Sequence, residues 1–162
     1  MYAEQLKKLL DYAIKLLSIR PRSTWELKHK LVGYAVKHKQ PVKQIEEVIS
    51  RLLQQNLLND EEFVRWWVWQ RKTFRPKGGR LLAAELSARG VDKETISKVL
   101  ADSSGEYEDA KNIAYKKAKL LAKLPLQQSK TKLSELLARR GFSWETIKRI
   151  IDEMEDSPYN KG

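Results

Sequence analysis

The chain has 162 residues, a formal net charge of +11 and no cysteine, so disulfides, thiolate metal sites and cysteine nucleophiles are excluded. No apolar stretch approaches the roughly 20 residues that a membrane-spanning helix needs, and the N-terminus lacks the apolar run of a signal peptide. We therefore expect a folded cytoplasmic protein, with no membrane partner, whose basic surface meets nucleic acid or an acidic face of another protein.

Apolar residues recur at helical spacing from the N-terminus onwards, which predicts a chain of helices. The first helix carries leucines on one face and is broken at Arg20-Pro21. The second begins at a capping box, in which Ser23 is the N-cap and Glu26 lies three residues on. Pro41 starts the third helix, because proline suits the first helical turn.

Six further helices follow from capping and stop signals. Asn59 or Asp60 caps the fourth helix, Asp92 caps the sixth and Ser143 caps the ninth. Glycines close the fifth and eighth helices, and Pro125 ends the seventh. The predicted bounds are 61–73 for the fourth helix, 80–89 for the fifth, 106–124 for the seventh and 130–140 for the eighth.

A shift of 51 residues overlays the fifth and sixth helices on the eighth and ninth. Gly90 meets Gly141, and Glu94-Thr95-Ile96 meets Glu145-Thr146-Ile147. The first three helices join this pattern when extra residues are allowed at 32–40. A module of about 50 residues is marginal alone, so neighbouring modules should stabilise one another. We predict an all-α fold of three tandem three-helix modules forming an elongated, curved helical array, with modules at 1–58, 59–104 and 105–157 and a frayed tail at 158–162.

Residues suited to catalysis are scarce. His29 and His38 lie nine residues apart, so they do not form a metal-binding pair on one helix face. Acidic residues lie mostly at helix starts, where the helix dipole explains them. The glycine-rich stretch Lys77-Gly78-Gly79-Arg80 lacks the spacing of a nucleotide-binding loop and indicates a helix entry, with anion contact as the alternative. The sequence predicts no enzyme, no catalytic residue, no metal and no cofactor.

Basic residues gather in two clusters that are candidates for partner contact. The first basic cluster surrounds the glycine-rich stretch and comprises Arg71, Lys72, Arg75, Lys77 and Arg80. The second basic cluster lies on the seventh and eighth helices and comprises Lys116, Lys119, Lys123, Lys132, Arg139 and Arg140. Each cluster is either a solvated helix face or a contact with DNA phosphates or an acidic protein groove. No recognition helix or zinc-finger spacing indicates base-specific readout.

Tryptophans are concentrated on the fourth helix. Trp66, Trp67 and Trp69 cannot share one narrow face at about 100° per residue. Phe63, Trp66 and Trp67 are expected to point inward, and Trp69 falls nearer the opposite side. Either this helix is wedged between two modules, or Trp69 is an exposed aromatic residue that anchors a partner or stacks on a base.

Five segments, in order along nearly the whole chain, resemble the motifs of one family. They are 23–27 with Lys30-Leu31, the segment 57–63, Arg71 with Lys77-Gly78, the segment 85–91, and 139–143. Each segment alone is weak, but the five in sequence resemble the RecX family of recombinase regulators. The chain departs from the family pattern in its length at 34–40 and in its tryptophan density near Trp66, which bears on the details of partner contact.

The resemblance implies a non-catalytic cytoplasmic modulator of the bacterial RecA recombinase. Proteins of this family are similar in having three tandem three-helix modules; they bind RecA and can bind DNA. They lie in the groove of the RecA filament or block its growing end, which suppresses ATP hydrolysis, coprotease activity and strand exchange. We therefore expect a monomer that regulates DNA repair, recombination and the SOS response. The alternatives are a protein that binds single- or double-stranded DNA without sequence specificity, and a helical scaffold for another acidic protein.

Overall fold

The computed structural model of the chain describes residues 1–103 and 105–156. Within those ranges the chain forms nine α-helices, one short 3-10 turn and no strand, so the predicted all-α fold class is confirmed. The predicted tail at 158–162 lies outside the described residues. The helices are α1 (Tyr2–Ile19), α2 (Thr24–Lys37), α3 (Ile45–Gln54), α4 (Asp60–Phe74), α5 (Gly79–Ser87), α6 (Lys93–Asp102), α7 (Glu106–Leu120), α8 (Leu126–Arg139) and α9 (Trp144–Glu155).

The helix starts follow the side-chain caps that the sequence predicts. Ser23 Oγ accepts a hydrogen bond from Glu26 N at 3.0 Å, and the Glu26 carboxylate accepts one from Ser23 N, which completes the capping box. Asn59, Asp92 and Ser143 each accept from the backbone N–H three residues on, at 3.1, 2.8 and 3.3 Å. Of the two candidates for the start of α4, the asparagine is therefore the cap.

The connection between α7 and α8 differs from the prediction. Helix α7 ends at Leu120, four residues early, and a tight turn follows in which Leu124 N donates to Leu121 O at 3.0 Å. Proline disfavours helical geometry at the residue before it, here Leu124, so α7 cannot continue unbroken into α8. Pro125 then precedes a helix that begins at Leu126, four residues before the predicted start. The proline therefore begins one helix as well as ending another.

Helices α3 and α5 also differ slightly from their predicted bounds. Pro41 is followed by the 3-10 turn Val42–Gln44, which leads directly into α3. Helix α5 begins one residue earlier and ends two residues earlier than expected, so that Arg89 and Gly90 form the turn after it. Among the described residues, no helix combines the length and the apolar character needed to span a membrane.

Three turns of the same geometry recur at equal intervals. Lys39, Gly90 and Gly141 have φ values of 53°, 73° and 83° and lie 51 residues apart (90 − 39 and 141 − 90). After each, the next N–H donates to the carbonyl five residues earlier, at 2.8, 3.2 and 3.2 Å. The first helices thus follow the repeat directly, and the expectation of extra residues at 32–40 is wrong.

Contacts group the chain into two compact units. Unit 1 consists of Met1–Trp67 and Leu86–Val99, and unit 2 consists of Val68–Glu85 and Leu100–Gly162. A core of leucines, isoleucines and valines joins α1, α2 and α3 in unit 1, and a second core joins α7, α8 and α9 in unit 2. The three-module boundaries at 1–58, 59–104 and 105–157 stay a prediction.

Two of the recurring turns are packed too closely to hold a side chain. In unit 1, a Cβ on Gly90 would overlap the Trp25 side chain, and the adjacent Arg89 carbonyl accepts a hydrogen bond from Ser23 Oγ at 2.6 Å. In unit 2, a Cβ on Gly141 would overlap Leu81. Both positions therefore need glycine for packing as well as for their positive φ.

Candidate partner-binding surfaces

The first basic cluster forms an ion-pair network within unit 2. Arg71 Nε lies 3.1 Å from Glu85 Oε2, and Lys77 pairs with the other oxygen of the same carboxylate. Lys72 Nζ lies 4.0 Å from Asp109 Oδ2. Three of the five cations thus already face carboxylates, so their charge is partly neutralised before any partner arrives.

The ion-pair network of the first basic cluster is partly buried, which shifts the pKa of one of its carboxyl groups. Burial raises the pKa of the Asp109 carboxyl above its ordinary value, and the ammonium of Lys72 opposes that rise. Of the two remaining cations, Arg80 donates to the Ala138 carbonyl at 2.9 Å. Arg75 is exposed and forms no ion pair in the part of the chain that the structure describes. The first basic cluster therefore offers one cation that has no internal counter-charge or carbonyl partner.

The second basic cluster differs from the first in that most of its cations are exposed. Lys116 and Lys119 are exposed on α7, on the side away from the buried Ala110 and Ala114. Lys123, which was predicted to lie on the same helix, is exposed in the turn that follows it. Lys132 and Arg139 are also exposed, and Arg140 is half-buried. None of the six forms an ion pair with residues 1–103 or 105–156. Their charges are therefore available to an acidic partner.

Further lysines lie close in sequence to the second basic cluster. Residues 110–134 contain seven lysines and no acidic residue. Within this range, Lys130 is the lysine that pairs with a carboxylate, that of Glu155. Positive charge is therefore concentrated along this stretch of the chain, whereas α9 supplies acidic residues such as Glu153 and Glu155.

The tryptophans of α4 divide as their spacing predicts. Phe63 and Trp67 are buried, Trp66 is half-buried, and Trp69 is 60% exposed. The Arg89 guanidinium lies 3.9 Å from the centroid of the Trp67 ring, a cation–π contact within unit 1. Trp69 is therefore available for a partner, whereas its neighbours serve the fold.

Residues considered for catalysis have structural partners. His29 Nδ1 lies 2.8 Å from the Trp25 carbonyl oxygen, and the centroids of the His29 and Trp25 rings are 3.9 Å apart. Glu106 accepts hydrogen bonds from Gly79 N and Thr146 Oγ1. The described residues contain no group of three or more histidines or acids that is suited to a metal ion.

Sequence reasoning missed two features of unit 2. It did not foresee Glu85 as the shared counter-ion, because no sequence spacing brings residue 85 to residues 71 and 77. It also missed an apolar cleft of about 330 Å³ between α7, α8 and α9. Pro125 is the local sequence signal for a break between α7 and α8, but it does not indicate how the helices pack around a cleft.

Two family models match the chain. The model described as "RecX, second three-helix domain" matches residues 59–100, and that described as "RecX, third three-helix domain" matches residues 105–151. The "Regulatory protein RecX" of Bacillus subtilis (strain 168) is 35% identical over 158 residues, covering 95% of this chain and 58% of that protein. The protein of the same name from Mycobacterium sp. (strain JLS) is 37% identical, covering 82% of this chain and 73% of that protein.

Solved structures with the same fold extend the comparison. A crystal structure of RecX from Lactobacillus salivarius superposes with a TM-score of 0.86 at 24% identity, covering 96% of this chain and 99% of that one. A second crystal structure, of "regulatory protein RecX", gives a TM-score of 0.77 at 22% identity, covering 93% of this chain and 73% of that one. The chain spans under three-fifths of the length of the Bacillus subtilis and Geobacillus relatives, at 58% and 59%.

Proposed function

The chain belongs to the RecX family, and from that membership we propose that it binds the RecA recombinase filament and inhibits its ATPase, coprotease and strand-exchange activities. The resemblance in the sequence motifs is confirmed by the family models and by relatives named regulatory proteins. Acting in this way, the protein regulates DNA repair, recombination and the SOS response. Because the chain spans 58% of the Bacillus subtilis relative, the activity of that whole protein is itself part of the proposal.

The unpaired second basic cluster supports this proposal most directly. Six cations, of which five are exposed, lie on unit 2 and form no ion pair with residues 1–103 or 105–156. Such a surface contacts an acidic protein face or the phosphates of DNA within a filament. The mechanism we propose is steric bridging of adjacent filament subunits, held by these charges. We further propose that the protein acts as a cytoplasmic monomer without catalytic activity of its own.

The decisive experiment is the single-stranded-DNA-dependent ATPase of RecA. The protein is added well below one molecule per RecA subunit, with DNA in excess, so that it cannot act by covering the DNA. We expect a marked fall in ATP hydrolysis, because one bound molecule blocks or bridges several subunits. An unchanged rate would refute filament regulation and would favour plain DNA binding or another acidic partner.

A charge-reversed variant links the activity to the second basic cluster. Replacing Lys116, Lys119 and Lys123 by glutamate lowers the net charge from +11 to +5 (11 − 6). We expect weaker inhibition with an unchanged melting temperature, because these side chains are exposed and unpaired. The matched control reverses Arg71, Lys72 and Lys77, where we expect a loss of stability. Full inhibition by the first variant would remove the second basic cluster from the mechanism.

Binding of DNA without sequence specificity is the second candidate function. The exposed lysines favour it, because phosphate contacts need only accessible cations. It predicts affinity for single- and double-stranded DNA that falls steeply with salt, and equal effects with and without recombinase. A shallow salt slope, corresponding to one or two phosphate contacts, would count against it.

A further inference from the structure

The apolar cleft of unit 2 is the feature that neither basic cluster accounts for. It has a volume of about 330 Å³ and is lined mainly by Leu121, Leu124, Leu126, Leu133, Ile151 and Met154. Its polar rim consists largely of Lys130 and Glu155, which pair with each other. The cleft exists because α7 ends at Leu120 and the turn before Pro125 separates α7 from α8.

Apolar side chains at the mouth of the cleft are left open to solvent. Leu126 is 50% exposed and lines the cleft. The deeper residues Leu121 and Leu133 are buried. An exposed leucine beside a buried apolar floor is typical of a surface that is covered by a partner's side chains.

The charge around the cleft selects the partner. Ala118 and Ala122 line the cleft, and their neighbours Lys119 and Lys123 are exposed and unpaired in the described structure. All of these lie in the range 110–134, which contains no acidic residue. The α9 wall contributes Glu155, whose carboxylate is already paired with Lys130. A chain segment that inserts apolar side chains here lies beside several lysines, so acidic residues on it are attracted and basic residues are repelled.

We propose that this cleft binds a short acidic segment of a partner protein that inserts one or two large apolar side chains. The volume is at the lower end for ligand sites, which fits side-chain anchors better than a whole small molecule. A second copy of this chain is disfavoured, because it carries the same charge of +11. DNA phosphates would use the lysines and leave the apolar floor empty. The inference does not depend on which protein supplies the segment, so it and the proposed function can fail separately.

The test uses the full chain and synthetic fluorescent 16-residue peptides. The probe peptide carries leucine and phenylalanine on one helical face and glutamate and aspartate elsewhere. One control peptide has serine in place of the apolar residues, and another has lysine in place of the acids. Anisotropy should show binding of the probe peptide, with at least tenfold weaker binding of both controls. Equal binding of the serine peptide would overturn the proposal, because the lysines alone would then explain the affinity.

Variants locate the binding in the cleft. Ala122→Phe places a large side chain in the cleft from an exposed position. It should weaken the binding of the probe peptide at least tenfold and leave the affinity for a dT20 oligonucleotide within twofold. Leu126→Ser, also at an exposed position, should likewise weaken the binding of the probe peptide. The matched control Ala84→Phe lies on an exposed part of α5 and should change neither the peptide affinity nor the oligonucleotide affinity. Undiminished peptide binding by both cleft variants, with melting curves like the parent, would refute the cleft as the site, as would the absence of any peptide binding.

Discussion

Glu85 is the residue on which the first basic cluster depends. Its side chain is 20% exposed and pairs with both Arg71 and Lys77. We predict that Glu85→Gln lowers the free energy of unfolding by about 1 kcal/mol, since two partly buried pairs are lost and two cations are left side by side. The same change should raise the affinity for a dT20 oligonucleotide, because a carboxylate that neutralises part of the charge of these two cations is removed.

Urea unfolding and oligonucleotide titration measure the two effects of this change. The matched control is Glu135→Gln, which removes the same charge from an exposed residue of α8 that forms no ion pair in the described ranges. The control should leave stability nearly unchanged and raise oligonucleotide affinity less. If both variants behave alike, the effect comes from net charge and the network has no special role.

Asp92 gives a pH-dependent signature of a helix cap. The Thr95 backbone N–H, and next its hydroxyl, donate to the carboxylate at 2.8 and 2.7 Å, which holds the pKa of Asp92 below its ordinary value of 3.8. A lowered pKa in the folded state means that the carboxylate stabilises α6 above pH 3.8. This contribution is lost as the pH falls through the folded-state pKa.

Asp92→Asn separates capping from titration, because asparagine caps a helix equally well and carries no charge. We predict a constant difference in melting temperature between wild type and this variant above about pH 5, which shrinks as the pH falls towards 2. Carboxyl NMR of Thr95→Val should show the pKa of Asp92 moving back up, because one donor is gone. Titration of Asp92 at its ordinary pKa in the wild type would contradict the capping geometry.

At the scale of the elements, two glycines have different roles: Gly90 lies in the turn after α5, and Gly33 lies inside α2. Gly90 has φ +73° and would place a Cβ against Trp25, whereas Gly33 is exposed in the middle of α2 with nothing within 4 Å. We predict that Gly90→Ala destabilises the protein by about 1–3 kcal/mol. Gly33→Ala should stabilise it by about 0.5–1 kcal/mol, because alanine favours a helix interior.

Chemical unfolding of these two variants provides the measurement, and the opposite signs are the essential result. A stabilising Gly90→Ala would mean that the turn after α5 does not hold its positive φ in solution. Lys39 occupies the equivalent turn of the first helices with φ 53° and an exposed side chain. A lysine is compatible there because its side chain is exposed to solvent, whereas a side chain at Gly90 would overlap Trp25.

The helix caps were predictable from the sequence because each depends on neighbours within a few residues, and the repeat was predictable because the same local signals recur every 51 residues. Ser23, Asn59, Asp92 and Ser143 are read from local hydrogen-bonding rules. The α7–α8 connection was not, because Pro125 satisfies the rules for ending a helix and for starting one. Glu85 and the apolar cleft depend on how helices meet in space, which periodicity does not specify.

At the scale of the whole molecule, part of the charge of +11 lies in unit 2. There the first basic cluster is largely paired with carboxylates, and the second forms no ion pair within the described residues. Two triple variants test this division at equal net charge. Replacing Lys116, Lys119 and Lys123 by glutamine gives +8 (11 − 3), and so does replacing Arg71, Lys72 and Lys77. Any difference between the variants therefore reports the location of the charges and not their sum.

For the first variant, we predict an unchanged melting temperature and a marked loss of affinity for single-stranded DNA. The slope of log affinity against log salt should become shallower by up to about 2, since each lost phosphate contact removes about 0.7. For the second, we predict a lower melting temperature and a smaller change in slope, because its cations already neutralise Glu85 and Asp109. Equal slopes in the two variants would show that DNA responds to the overall field, and that ion pairing within unit 2 does not determine which cations face a partner.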